Sequence, residues 1–254
     1  MCVKQVPESE IPIQIDDFTG WIKEDTITEF RMNRLDEYAV EEALLIKESI
    51  VGTRIDVITV GPARCDEVVR RAVGMGADYG VHIQTASEGY QSSLEVAAWI
   101  ADFARGKNYA LILTGVMSED SMQGQVGPML ATRLGFSWAT SVIFEKIASD
   151  KKSIYVEREI EGGHRDTLKL KLPAVITIQS GINTPRWPSL SNLLRANSQE
   201  LERIDISAPA KFQQMEYLAE VVYPQKSRAG LVLSGSLQEK ADHLLMILRE
   251  KSLL

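Results

Sequence analysis

The stretch Leu111-Ile112-Leu113-Thr114-Gly115, followed by Ser118-Glu119-Asp120-Ser121 and then Gly124-Gln125-Val126-Gly127, reads as a buried strand, a polar loop and a glycine-bearing helix start. That succession puts the free N–H groups of a helix N-terminus at the carboxyl end of a strand, where they can meet a phosphate. No Gly-Lys-Ser/Thr follows, and the GxGxxG dinucleotide pattern is absent. Gly124 and Gly127 permit close backbone approach, and Asp120 or Ser121 is available as an N-cap. By pattern alone the segment is either a nucleotide site or a tight βα turn. Glu119 and Asp120 would repel a phosphate unless they point away or bind a ribose.

Outward from this loop, strands and helices alternate. Residues 1–6 read as a short strand, or as the end of one whose first residues are missing. Residues 36–49 place apolar side chains at helical spacing, with Asp36 and Glu37 at the dipole-favourable end. Residues 54–61 form an almost continuous β-branched run, as in a parallel strand covered on both faces. A helix over 65–75, a strand over 80–83, a helix over 92–105, a strand over 109–115 and a helix over 123–134 follow. This rhythm predicts an α/β fold: an open, mostly parallel sheet with helices on both faces, Rossmann-like.

The second half changes character. Residues 154–161 and 167–172 alternate apolar and charged side chains around Gly162-Gly163, which predicts a β-hairpin with one wet face. Residues 173–178 return to a buried strand. Pro185, Trp187 and Pro188 precede a short amphipathic stretch over 190–196. From about residue 201 no clear pattern appears until an amphipathic helix over 237–248. The stretch between, with Pro209, Pro224 and Gly230, is too long for a compact loop and reads as an arm over another subunit. Residues 1–200 are therefore expected to form the nucleotide-binding core, and 201–254 the C-terminal arm and helix.

At 254 residues, 44% hydrophobic and 25% charged, the chain can bury a sizeable core. Its net charge of −7 argues against sequence-independent nucleic-acid binding, which needs clustered Lys and Arg. Cys2 and Cys65 show no metal or disulfide spacing, so no metal site is expected and a reducing, cytoplasmic setting is. No run has the length of a membrane span, and no secretory signal opens the chain.

Residues equipped for acid–base or nucleophilic chemistry are hard to find. Asn33 to Asp36 precede a helix as ordinary caps do. His82, His164 and His243 are isolated, and Ser180 lacks the nucleophile-elbow pattern. The carboxylate pairs Glu41/Glu42 and Glu157/Glu159 read as solvated faces. No catalytic residue is expected; a nucleotide loop with an arm suits a subunit that holds a redox cofactor against partners.

Several segments together resemble the β subunit of electron-transfer flavoprotein. They are Cys2-Val3-Lys4-Gln5-Val6-Pro7, Asn33 to Ala43, Val60-Gly61-Pro62, Ala72 to Asp78, Val156 to Gly163, Leu170 to Thr177 and Asn183 to Leu190. They cover nearly the whole chain, in order. The resemblance implies an adenine-nucleotide α-hydrolase-like core and a heterodimer with an α subunit that holds most of the FAD. It implies AMP, bound structurally, in this chain's own pocket. Carried over by position, that pocket would use Cys2, Asn33, Arg34, Leu35, Asp36 and Val60. It would also use Gly115, Asp120, Ser121, Met122, Gln123, Gly124, Gln125, Val126 and Gly127.

Leu190 matches the leucine of the family's recognition loop, with Trp187 beside it; the alternative is a core leucine at a helix start, but the proline-rich approach and Trp187 favour exposure. The implied function is electron transfer in fatty acid oxidation, between acyl-CoA dehydrogenases and a membrane quinone-linked oxidoreductase, without membrane insertion of this chain. One alternative is an electron-bifurcating relative that oxidises NADH and carries a second FAD in this pocket. Residues 120–127 keep the first Asp and the final Gln-Val-Gly of that type but lack its Gly, second Asp and Thr. Val116 and Met117 replace the usual Lys/Arg-Gln pair. Another alternative is a stand-alone adenine-nucleotide-binding module of the stress-protein kind.

Overall fold

The computed structural model describes residues 1–254 except 18–19, 24–27, 86–88, 207–215, 217, 224–229 and 254. The order begins β1 (Gln5–Pro7), β2 (Ile15–Asp16), β3 (Trp21–Ile22), β4 (Phe30–Met32), α1 (Arg34–Ser49), β5 (Asp56–Gly61), α2 (Asp66–Met75), β6 (Tyr79–Thr85) and α3 (Ser93–Ala104). It continues β7 (Leu111–Gly115), α4 (Val126–Leu134), β8 (Ser137–Ile147), β9 (Ser153–Ile160), β10 (His164–Lys171), β11 (Ala174–Ile178), α5 (Leu190–Ser198), β12 (Glu202–Ile206) and α6 (Leu237–Glu250). Two compact units result, Met1–Glu220 and Val221–Leu254.

Residues 1–3 organise the first unit. The N–H of Cys2 donates to the Leu113 carbonyl at 2.9 Å, and that of Val3 to the Ile58 carbonyl at 2.9 Å. Ile58 returns its N–H to the Met1 carbonyl at 2.8 Å. This short segment thereby joins two strand groups, ordered β12-β6-β5 and β7-β11-β8-β9-β10. Pairing is parallel within β12-β6-β5 and β7-β11-β8, then antiparallel through β9 and β10. The chain builds β5 and β6 on one side of residues 1–3, the opening strand segment that runs into β1, then crosses to lay β7 on the other. Such a reversal opens a crevice at the carboxyl ends of the two strands that flank it.

Neighbouring strand residues enter different cores. Val3 and Val57 join α1 and α2, whereas Cys2, Ile58 and Ile112 join α3 and α4. Leu113 meets α1 together with the inner face of β8, β9 and β11. Burial of each such Val, Ile or Leu contributes about 1.5–3 kcal/mol. In the hairpin, Val156 faces Leu168 and Ile154 faces Leu170, with Gly162 and Gly163 at positive φ in the turn.

Several elements differ from the sequence reading. The helix expected from residue 123 begins at Val126, because Met122 (φ 53°) and Gly124 (φ 63°) take left-handed backbone. A 3-10 turn over Ala63–Cys65 precedes α2, which starts at Asp66. β8 was not expected; Ser141 at φ 57° and a bulge between Val142 and Phe144 interrupt its two-residue period. β12 lies past residue 200, where no pattern was read, and pairs with β6 at the sheet edge. Pro209 and Pro224 of the expected arm fall outside the described residues. In the second unit, α6 is closed by a capping box between Ser236 and Glu239. No helix among the described residues is long and apolar enough to cross a membrane.

Candidate functional site

β7 ends at Gly115 in the crevice, and the loop that follows folds onto the end of the first strand and the start of α1. Asp36 accepts the Gly115 N–H on Oδ1 at 2.9 Å and the Lys4 N–H on Oδ2 at 2.8 Å. A Cβ on Gly115 would stand 2.5 Å from Asp36 Oδ1, so only glycine lets the carboxyl group reach the strand end. Burial pushes the Asp36 carboxyl up to about 7, against the pull of these two N–H groups. Asn33 occupies the N-cap position of α1 but makes no side-chain cap bond. Instead its Nδ2 donates to the Met117 carbonyl at 2.9 Å, and its Oδ1 accepts the Glu119 N–H at 3.1 Å. Glu119 in turn accepts the N–H of Arg34 at 3.0 Å.

The two loop carboxylates are neutralised in place. Glu119 pairs with Arg31 at 2.9 Å, and Asp120 with Lys4 Nζ at 2.7 Å. Burial raises both carboxyl groups, yet Arg31 for the first and Lys4 for the second hold them below the usual carboxylate range. Lys4 Nζ also reaches Ser118 Oγ at 3.3 Å. The repulsion expected against a phosphate is thus reduced by cations that sequence reasoning passed over, with Arg31 shared between Glu119 and Glu8.

The glycines serve the loop's own packing. A Cβ on Gly124 would lie 3.0 Å from the Val116 carbonyl oxygen, and one on Gly127 would overlap Thr177 Cγ2. Gln123 is held between Ser93 Oγ, which donates to its Oε1 at 2.7 Å, and Tyr90 OH, which accepts from its Nε2 at 3.2 Å. Tyr90 meets Trp21 edge-on, with ring centroids 6.4 Å apart. Neither Asp120 nor Ser121 caps α4; its N-cap is Gln125, which makes no side-chain bond. Ser121, Met122 and Gln125 are exposed. The loop therefore offers an anion the uncapped start of a nine-residue helix beside carboxylates already paired. These donors fit a nucleotide phosphate.

Cys2, Val60 and Val126 gather in the apolar cluster behind the loop, and Leu35 is half-buried over Gly115. Burial pushes the Cys2 thiol up to about 11, away from the nucleophilic thiolate form. His82, isolated in sequence, is fully buried between Asp66 Oδ1 (2.6 Å) and the Gly61 carbonyl (3.0 Å). A carbonyl only accepts, so Nε2 carries a proton.

Residues 21–209 match the model of the electron transfer flavoprotein domain. The chain is 34% identical over 248 residues to electron transfer flavoprotein subunit beta, mitochondrial, of Arabidopsis thaliana, covering 96% of each. It belongs to the electron transfer flavoprotein beta-subunit family. Subunit beta of Bos taurus is 35% identical over 207 residues, with 80% of this chain and 79% of the relative covered. The Homo sapiens subunit beta is 34% identical over the same shares. The loop engages Val116 and Met117 through their backbones. Val116 N–H donates to the Ile178 carbonyl at 2.9 Å, and Met117 is held by its carbonyl.

A second exposed surface lies on α5 and the segment before it. Trp187 is 82% exposed, and Leu190 and Leu194, one turn apart on α5, are 74% and 63% exposed. Leu190 opens α5 beside the cap Ser189, whose Oγ accepts the Asn192 N–H at 3.2 Å, and it is no core residue. Glu41 and Glu42 are buried, which corrects their reading as a solvated face. Glu41 binds Arg186, while Glu42 accepts from Asn183. A cavity of about 370 Å³ adjoins Trp187, Arg31, Arg34 and Arg71. Its charges cancel, with Glu8 on Arg31 and Glu37 on Arg71, both at 2.8 Å.

Proposed function

We propose that this chain is the β subunit of a heterodimeric electron-transfer flavoprotein that links acyl-CoA dehydrogenases to a membrane quinone-linked oxidoreductase. FAD, held mainly by the α subunit, supplies the redox chemistry. AMP is the proposed occupant of the Gly115–Gly127 loop, bound structurally, with its phosphate at the start of α4. The state of the loop's ionisable groups supports holding rather than turnover. Asp36, Glu119 and Asp120 are each engaged by strand N–H groups, Arg31 or Lys4. A general acid or base must turn a free lone pair or proton toward its substrate, whereas both oxygens of Asp36 already accept backbone N–H groups. Trp187 and Leu190 form the surface that meets the dehydrogenase, and α6 with its preceding arm covers the α subunit.

A second reading is a bifurcating, NADH-oxidising complex with another FAD in this loop, favoured by Gln125-Val126-Gly127-Pro128. Counting cofactors in the co-expressed αβ complex decides between them. One FAD and one AMP per heterodimer supports the first reading. Two FAD, with flavin bleaching by NADH, overturns it. A stable monomer that purifies without an α subunit overturns both.

A further inference from the structure

The segment that carries Trp187 and Leu190 is fastened at both ends. At its start, Asn183 Nδ2 donates to the Tyr38 carbonyl at 2.9 Å and to Glu42 Oε2 at 2.8 Å. Arg186 then grips Glu41 through its backbone N–H (3.1 Å), Nε (2.9 Å) and Nη2 (2.8 Å). Its Nη1 reaches Glu48 at 2.7 Å. At the far end, Arg70 of α2 donates to the carbonyls of Ala196, Asn197 and Gln199 at 2.8–3.0 Å, around the C-terminus of the helix. Between these ends, Leu193 fills the space over Gly74, where a Cβ would stand 3.0 Å from its Cδ2. Arg71, paired with Glu37, lies 5.1 Å from the Trp187 ring centre.

A nine-residue helix such as α5 is too short to hold itself in water, so its order comes from these contacts. They grip the side that faces α1 and α2 and leave Leu190 and Leu194 outward. A planar guanidinium bound on two edges by carboxylates fixes direction as well as distance, which an ammonium does not.

We infer that Arg186, acting through Glu41 and Glu48, is a positioning residue that presents Trp187, Leu190 and Leu194 as a preformed docking surface for the electron-donating dehydrogenase. The inference rests on the docking role proposed above. Pre-ordering the segment removes a cost that binding would otherwise carry.

The test uses the co-expressed αβ complex and a reduced acyl-CoA dehydrogenase, with steady-state electron transfer and amide hydrogen exchange as readouts. Arg186→Ala is expected to raise KM for the complex about 3- to 10-fold at unchanged kcat and flavin content. Exchange across residues 187–196 should quicken by a similar factor, and Arg186→Lys should fall between. Added to Leu190→Ala, the Arg186→Ala change should raise KM by less than it does alone, because part of the surface it positions is already lost. Full additivity overturns the inference. So does a normal KM for Arg186→Ala alongside a raised one for Leu190→Ala. An unchanged KM for Leu190→Ala sinks the docking role itself, and exchange then still decides whether Arg186 orders the segment. Should Arg186→Ala fail to fold, Arg186→Lys and Glu48→Gln carry the same comparison.

Discussion

The Oδ1 of Asp36 accepts the backbone N–H of Gly115 at 2.9 Å, across the point where the sheet order reverses. The other oxygen of the same carboxyl takes Lys4, so one side chain of α1 ties the first strand to β7. Asparagine at this position keeps one acceptor and turns a donor toward the second N–H. Asp36→Asn should therefore lower stability by about 1–3 kcal/mol in denaturant unfolding, because a buried donor is left unmatched. A loss below about 0.5 kcal/mol would show that the carboxyl does not anchor the loop.

Acid should stabilise this protein before it harms it. Burial raises Asp36 to about 7; burial and then the neighbouring Glu42 raise Glu145 to about 7. A carboxyl raised on folding contributes stability that is present below its unfolded value, near 4, and is lost as pH climbs through the folded value. Glu119 and Asp120 behave oppositely: their ion pairs outweigh burial, and their contribution is lost only in stronger acid. The melting temperature should accordingly peak between these ranges, at about pH 4. Glu145→Gln should flatten the fall toward pH 8 and raise the melting temperature there. An unaltered slope in that variant removes Glu145 from the account.

The turn before α4 tests the placement of the nucleotide. Gly124 has φ of 63° and stands against the Val116 carbonyl. A β-branched residue there meets backbone strain of about 1–3 kcal/mol as well as the close contact. Gly124→Val is expected to lower nucleotide content and heterodimer stability, as measured by nucleotide release and chromatography on acid-denatured complex. Full nucleotide content would move the site elsewhere.

Leu190 projects from α5 with most of its surface in water, so shortening it leaves no cavity in the core. Leu190→Ala should reduce the apparent affinity for an acyl-CoA dehydrogenase about tenfold, as expected of an anchoring side chain at a small interface. Flavin content and melting temperature should stay as they are. Loss of flavin would mean that the leucine is structural.

The alternation of β5, α2, β6, α3 and β7 was legible because it is local. Apolar period and glycine punctuation report the face each segment buries. The Gly162-Gly163 turn was legible for the same reason. β8 was not, since its bulge breaks the period on which recognition depends. Glu41 and Glu42 looked like solvent-facing charges because nothing near them in sequence shows a partner. Arg186 stands 145 residues from Glu41.

By itself, then, the sequence determined an α/β sheet, a glycine-bearing loop at the end of β7 and, by resemblance, the family. Only the tertiary structure decided how that loop tolerates its own acids. Lys4 and Asp120 are 116 residues apart and meet because β7 crosses to the far side of the first strand. Only the fold, likewise, brought the acidic face of α1 under the segment that holds Trp187 and Leu190. Local propensity sets what each segment can bury, whereas ion pairs form between whichever surfaces the topology brings together.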